Sequence, residues 1–118
     1  MWLYAKHGFL SIILPRDTNK EGNLLVRARI SGDIEHYFPE AKVIKTPNGD
    51  YLYRALVPKH RVREVLGNTV ENIDYTNFKA SVKDDRRHLT YSDVWFEMQQ
   101  LQDMISEDEE RDQCRKKA

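Results

Sequence analysis

Alternation of apolar and polar side chains predicts β-strands in the first half of the chain. In residues 24–30 (LLVRARI) every second residue is apolar, which predicts a strand with one face in a core and with Arg27 and Arg29 on the other face. Residues Trp2–Leu14 are rich in aromatic and β-branched side chains and predict one long strand, bulged at Gly8. The two strands are expected to pair as a hairpin with a long loop.

A second hairpin is predicted between residues 42–46 (KVIKT) and residues 50–57 (DYLYRALV). The connection contains Asn48 and Gly49, and an Asn-Gly pair between two apolar runs is among the stronger hairpin signals in a sequence. The chain therefore supplies about four strands, all joined by short or moderate connections.

Apolar residues at helical spacing predict three helices between and after these strands. A short helix over residues 31–38 is ended by Pro39, and a longer amphipathic helix covers residues 62–73. A further short helix is predicted from Asp74 onward, with Asp74 or Thr76 near its N-cap. A polar link over residues 83–88 follows it.

The clearest helical pattern begins after this link. Thr90 and Asp93 resemble a capping box, with Asp in the place usually held by Glu or Gln. The apolar stripe that follows consists of Tyr91, Val94, Trp95, Met98, Leu101 and Ile105. We expect this stripe to dock on the apolar face of the sheet, with Trp95 buried, because such stripes usually belong to a core.

The predicted fold class is α+β, with an antiparallel sheet of about four strands and amphipathic helices on one face. A ferredoxin-like arrangement is one form that such a sheet takes. Residues 1–105 are predicted to form a single domain. Residues 106–118 have no apolar periodicity and divide into an acidic and a basic block, which predicts a charged, disordered C-terminal tail.

Composition and charge narrow the classes of function. The chain has 118 residues, 40% of them hydrophobic, with 19 basic and 19 acidic side chains, so its formal net charge is zero. A zero net charge does not favour a dedicated nucleic-acid or membrane binder. With Cys114 as the only cysteine and no apolar run of roughly 20 residues, we expect a cytoplasmic protein without a disulfide or a membrane span.

The arginines on the predicted sheet face are the most informative candidates for binding. Arg27 and Arg29 share one face of a strand, and Arg54 lies on another strand. With Tyr51 or Tyr53 and Phe9 nearby, such arginines can grip phosphates while the aromatic rings stack on bases. The alternative is that the arginines cover an open sheet face and pair with neighbouring carboxylates such as those of Asp50 or Asp74, and the neutral net charge favours this alternative.

Catalytic and cofactor chemistry is not indicated. His7, His36, His60 and His88 lie far apart, without the spacing of a metal site, so we expect no metal and no cofactor. Acid–base catalysis by His7 or His60 beside a carboxylate is conceivable in principle, but no residue pattern favours it. We therefore expect no catalytic residues, and an enzyme is the least favoured class.

Several blocks of the chain resemble a known family. The blocks are KHGFLSII, LLVRARISGDIE, YLYRALVP, IDYTNFKASV and VWFEMQQLQ, in this order. They are similar to a family of small bacterial proteins of uncharacterised function, which has the patterns KxGFFS, VRAR, YRxxVP, IDYxNFK and VWxxMxxLQ. The chain departs from the first pattern by having Phe9-Leu10 in place of the aromatic pair, which is a change of packing.

The resemblance implies a complete domain with an added segment beyond Leu101, and it brings no activity, substrate or cofactor. It also implies that certain residues belong together as the pattern of the family: Arg27, Arg29, Tyr53, Arg54, Asp74, Tyr75, Asn77, Phe78 and Lys79.

Two functions of different classes follow. The first is a non-enzymatic binding or regulatory module that acts through a protein partner or as a homodimer, joined across a sheet face or edge where Trp2, Tyr4 and Phe9 supply apolar contact. The alternative is a binder of nucleic acid or nucleotide phosphate, whose site residues are Arg27, Arg29, Arg54, Lys79 and Tyr53. A small nuclease-type enzyme is the third possibility.

Overall fold

The computed structural model describes residues 1–16 and 22–117. Within these residues there are five strands: β1 (Trp2–Ala5), β2 (Gly8–Ile13), β3 (Asn23–Ala28), β4 (Ile44–Lys45) and β5 (Tyr53–Pro58). The helices are α1 (Asp33–Tyr37), α2 (Lys59–Glu71), α3 (Phe78–Ser81) and α4 (Asp85–Lys117). The chain divides into two compact units, Met1–Thr76 with the whole sheet and Asn77–Ala118 with α3 and α4.

The first unit is built on an antiparallel sheet with the strand order β1-β2-β3-β5-β4. The described residues place Ser11 beside Arg27 and Arg27 beside Arg54, so that β3 occupies the centre. The predicted α+β class with an antiparallel sheet is confirmed, with five strands in place of about four. The ferredoxin-like form is met only approximately, because the described elements follow one another as β1, β2, β3, α1, β4, β5 and α2, and the strand order β1-β2-β3-β5-β4 is not that of a split βαβ arrangement.

One face of this sheet forms the core of the unit. Strand side chains alternate, so Val26 and Ala28 point into this core while Arg27 points away from it. Helices α1 and α2 cover the core face. The buried residues of the core are Leu10, Ile12, Val26, Ala28, Ile34, Phe38, Ala55, Val57, Val62 and Val65.

The N-terminal segment differs from its prediction. The sequence pattern predicts one bulged strand over residues 2–14, whereas the structure has a hairpin that turns between Ala5 and Gly8. The reason is a close approach at Gly8, where an added Cβ would lie 3.2 Å from the Cβ of Asp33. The buried carboxylate of Asp33 accepts a hydrogen bond from the Phe9 amide at 3.1 Å, which fixes α1 against this hairpin.

The Asn-Gly hairpin is confirmed, with shorter strands than predicted. Ile44 pairs with Arg54, and the Thr46 amide donates to the Leu52 carbonyl at 2.6 Å. The predicted loop between β2 and β3 includes residues 17–21, which lie outside the described residues. The predicted hairpin pairing of β2 with β3 is confirmed by the register of Ile12 with Val26.

The residues that cap the N-termini of α3 and α4 differ from those predicted. The side chain of Asn77, not that of Asp74 or Thr76, accepts a hydrogen bond from the Ala80 amide at 3.0 Å and caps α3. The prediction of a capping box at Thr90 is wrong. Helix α4 begins five residues earlier, and there the carboxylate of Asp84 accepts from the Arg87 amide at 2.8 Å.

The predicted burial of the last helical stripe is confirmed for Tyr91, which is 6% exposed, and is wrong for four other members of the stripe. Trp95 is 47% exposed, Met98 58%, Leu101 42% and Ile105 51%. A stripe at helical spacing predicts that a helix face is covered, but its sequence does not say whether the cover is a core or another molecule. We refer to these four residues as the α4 stripe.

Helix α4 continues through residues 106–117, which are exposed throughout. A helix without packing contacts depends on local interactions alone and has marginal stability in water. The disorder predicted for this segment therefore stays a prediction, as does the single domain predicted over residues 1–105.

Candidate binding surfaces

The arginines predicted on the sheet face do lie together. Strands β3 and β5 place Arg27 directly beside Arg54, on the side of the sheet opposite the core. Arg29 follows the end of β3 on the same side, since it is two residues from Arg27. We refer to Arg27, Arg29 and Arg54 as the arginine cluster.

Each guanidinium of the arginine cluster is bonded within the first unit. Arg27 donates from Nη2 to the hydroxyl of Ser11 at 2.7 Å, and Ser11 is fully buried. Arg29 donates from Nη1 to the Asp50 carbonyl at 2.7 Å, and Arg54 from Nη2 to the Asp50 carboxylate at 3.1 Å. Asp50 therefore contacts two of the three arginines, Arg29 through its backbone carbonyl and Arg54 through its carboxylate. The contact with Arg54 is the kind of carboxylate pairing expected from the sequence as the alternative to phosphate binding.

The centre of the cluster is the ring of Tyr51, which is only 4% exposed. The guanidinium carbon of Arg27 lies 4.4 Å from the ring centroid, and that of Arg29 lies 4.2 Å from it. The Tyr51 amide donates to the carboxylate of Asp50 at 3.0 Å, which holds the ring in place. A ring that is covered in this way contributes cation–π attraction to the fold, and its faces are not available for stacking on a base.

The arginine cluster and the carboxylate that contacts it have a net positive charge. Among the described residues, its three guanidiniums contact one carboxylate, that of Asp50. The Nε atoms of Arg27 and Arg54 are buried and have no hydrogen-bond partner in the described part of the chain. Unpaired buried donors are costly, so these two Nε atoms are the polar atoms of the cluster that lack their ordinary hydrogen bonding.

The other two predicted site residues lie elsewhere. Tyr53 pairs with Ala28 in the register of the sheet and packs against the core, so it points away from the arginine cluster. Lys79 belongs to the helical unit, where its Nζ atom lies 4.1 Å from the centroid of the Trp95 ring. The aromatic residue that joins the cluster is Tyr51, which the sequence offers only as an alternative to Tyr53, because alternation alone does not show where β5 begins.

The α4 stripe is the second candidate surface. Its members lie on one side of α4, with spacings of three and four residues. Leu89 and Phe96 are also exposed, at 65% and 59%, but the helical repeat puts them on the opposite side. The helix α3 covers one flank near the N-terminal end, where Phe78 stacks on Tyr91 with 5.7 Å between ring centroids.

A groove of about 520 Å³ in the first unit is lined by further titratable side chains, among them those of Lys6, His7, His36 and Asp74. The rings of His7 and His36 lie 4.5 Å apart, and Lys6 forms an ion pair with Asp74 at 3.5 Å. Within the described ranges no group of three metal-ligating side chains comes together.

One ion pair of the first unit, which includes Arg61 at the edge of this groove, has shifted pKa values. Arg61 on α2 donates from Nε and Nη2 to the carboxylate of Glu40, and this hydrogen bonding lowers the pKa of Glu40 and raises that of Arg61. Both groups are exposed, so the pair fixes the position of α2 only weakly.

Comparison of the chain with protein-family models, curated proteins and solved structures finds no match. The resemblance to a family of small bacterial proteins and the cytoplasmic location stay predictions. None of the helices in the described residues is long and apolar enough to cross a membrane.

Proposed function

We propose that the chain is a non-enzymatic interaction module that binds a protein partner or a second copy of itself through the α4 stripe. The observation that carries this proposal is the exposure of four large apolar side chains on one side of a single helix. Contiguous exposed apolar surface is rare on monomeric proteins and usually marks an interaction site.

The bonding of the arginine cluster supports a scaffold role for the sheet. Its side chains hold β2, β3 and the segment before β5 together through Ser11, Asp50 and Tyr51. Side chains that are engaged in this way must break native contacts before they can bind a ligand, which lowers their affinity for it.

The first test asks whether the α4 stripe is a surface or a core. At a protein concentration low enough for the unmodified chain to be monomeric, we expect the double variant Met98→Gln and Ile105→Gln to change the free energy of unfolding by less than about 1 kcal/mol, because surface substitutions are usually close to neutral. If the stripe were a core, the loss would be about 2 to 5 kcal/mol for each residue. The matched control is Leu89→Gln with Phe96→Gln, which has the same spacing on the other side of α4.

The same two variants test the partner. The tagged chain should co-purify with a stoichiometric amount of a partner, which is either another protein or a second copy of the chain. The stripe variant should lose this partner, and the control variant should retain it. A partner that the stripe variant binds as tightly as the unmodified chain would contradict the proposal.

A second candidate function is nucleic-acid binding through the arginine cluster. It is favoured by the excess of positive charge and by the buried, unpartnered Nε atoms of Arg27 and Arg54. This function predicts that single-stranded RNA binds and that the affinity falls with salt, with a slope of about −0.7 per phosphate neutralised. The triple change of Arg27, Arg29 and Arg54 to Ala should then abolish binding and leave the melting temperature unchanged.

The scaffold role predicts the reverse for the same triple variant. The unmodified chain should show no salt-dependent binding of RNA, and the triple variant should melt at a lower temperature because Tyr51 and Asp50 lose their partners. Measuring both quantities on the two proteins separates the candidates.

A further inference from the structure

Three members of the α4 stripe, together with the half-buried Val94, have the spacing of a coiled-coil seam. Val94, Met98, Leu101 and Ile105 follow one another at intervals of four, three and four residues, which is the repeat of the a and d positions of heptads. Continuing the same repeat reaches charged residues at both ends of the helix. Before the seam the repeat passes through the buried Tyr91 to Arg87 and to Asp84, which immediately precedes α4, and after the seam it reaches Asp108, Asp112 and Arg115.

We propose that the occupant of this seam is α4 of a second copy of the chain, lying antiparallel to the first. This inference rests on the proposed function and names its partner. When the seams of two antiparallel helices are aligned at their midpoints, Val94 lies beside Ile105 of the second copy, and Met98 lies beside Leu101 of the second copy. Each apolar side chain of the seam then faces another apolar side chain.

The charges beyond the stripe select the antiparallel direction. The same centring places Arg87 beside Asp112 of the second copy and Asp84 beside Arg115 of the second copy. Two-fold symmetry repeats both pairs, so the seam ends in four opposite-charge contacts. A parallel dimer would instead place Asp108 and Asp112 beside the same residues of the second copy, and facing like charges are unfavourable.

The contacts that the end residues already make are compatible with this pairing. Arg87 donates from Nη1 to the Tyr91 hydroxyl at 3.4 Å, and a guanidinium has five N–H donors. Asp84 accepts one hydrogen bond from a backbone amide at the start of α4, and an ionised carboxylate can accept several.

The short helix α3 determines which flank of the seam is open. Phe78 and Lys79 contact Tyr91 and Trp95, which lie on one side of Met98 in the helical repeat. Val94 and Leu101 lie on the other side of Met98. The second copy therefore packs on the flank with Val94 and Leu101, with α3 beside it.

Single cysteines measure the direction of pairing. In a Cys114→Ser background, Val94→Cys and Ile105→Cys are purified separately, then mixed, equilibrated and oxidised under mild conditions. In the antiparallel dimer these two positions face each other, whereas each is roughly 16 Å from its own counterpart, given a rise of 1.5 Å per residue. A disulfide needs a Cα separation of about 4.4 to 6.8 Å, so we expect a cross-linked dimer only in the mixture.

Each other result overturns a different part of the inference. Cross-linking of either variant alone indicates a parallel pair; this overturns the antiparallel direction and leaves the proposed function standing. A monomeric mass for the unmodified chain at about 1 mM overturns the second copy as the occupant, and the co-purification test then decides the proposed function. A dimer that the Met98→Gln and Ile105→Gln double variant leaves intact overturns both.

Discussion

Replacement of Tyr51 by Ala is the most direct perturbation of the arginine cluster. The Tyr51 side chain is almost fully buried, with guanidinium carbons 4.4 and 4.2 Å from its ring centroid. Removing the ring leaves a cavity between Arg27 and Arg29 and removes two cation–π contacts. We expect the sheet unit to lose stability through both effects.

The size of the loss follows from the buried area. A buried aromatic side chain removes roughly 150 to 250 Å² from water, which corresponds to about 4 to 6 kcal/mol at about 25 cal/mol per Å². Part of this surface is already covered in the unfolded chain, which lowers the figure. The two cation–π contacts add about 0.5 to 1 kcal/mol each at sites that stay near solvent. We therefore expect Tyr51→Ala to cost about 3 to 5 kcal/mol.

Urea denaturation, followed by circular dichroism, measures this loss directly. The control is Tyr51→Phe, which keeps the ring and both cation–π contacts and should cost less than about 1 kcal/mol. A loss below about 1 kcal/mol for Tyr51→Ala would refute the reasoning, because it would show that the ring does not hold the arginine cluster together.

Two further predictions concern the ion pair on α2 and the ends of the proposed seam. Because the hydrogen bond from Arg61 lowers the pKa of Glu40 below its ordinary value of 4.5, the unmodified chain should be more stable than Glu40→Gln at pH 7. That difference should shrink as the pH falls from the ordinary pKa through the lower folded-state pKa, and urea melts at a series of pH values from 7 downward measure it; a difference that does not shrink as the pH falls would contradict the assignment. Asp112→Arg should weaken the dimer about three- to thirtyfold, because two exposed pairs with Arg87 contribute about 0.3 to 1 kcal/mol each, and sedimentation equilibrium measures the change in Kd.

The sheet could be predicted well because its signals are local. Alternation over residues 24–30 predicts the core face of β3 and places Arg27 opposite Val26, and the pair Asn48-Gly49 predicts the last hairpin. These signals depend on side-chain alternation and turn chemistry, which a few neighbouring residues determine.

The errors concern features that depend on distant parts of the chain. The hairpin at Gly8 is fixed by Asp33, which lies 25 residues further along the sequence, so the segment alone is equally consistent with a bulge. The joining of Tyr51, rather than Tyr53, to the arginine cluster depends on where β5 begins. The contact between Asp50 and Arg54 has a signal in the sequence, since Asp50 is the acidic residue closest to Arg54 on its N-terminal side.

The α4 stripe shows a different kind of error. Its periodicity correctly indicates an apolar helix face, but a core and an interface between molecules have the same periodicity. Only the exposure of Met98 and Ile105 in the folded chain distinguishes the two. The proposed direction of pairing uses the charges of Arg87 and Asp112, which fall on one helix only once α4 is known to run from Asp85 to Lys117.

The molar mass in solution tests the role of the α4 stripe most directly. Sedimentation equilibrium should be run over a concentration series on the unmodified chain, on the Met98→Gln and Ile105→Gln double variant, and on the Leu89→Gln and Phe96→Gln control. We predict twice the mass of the chain at high concentration for the unmodified protein and the control, and the mass of one chain for the stripe variant. Equal masses for all three proteins would contradict the claim that the chain associates through this side of α4.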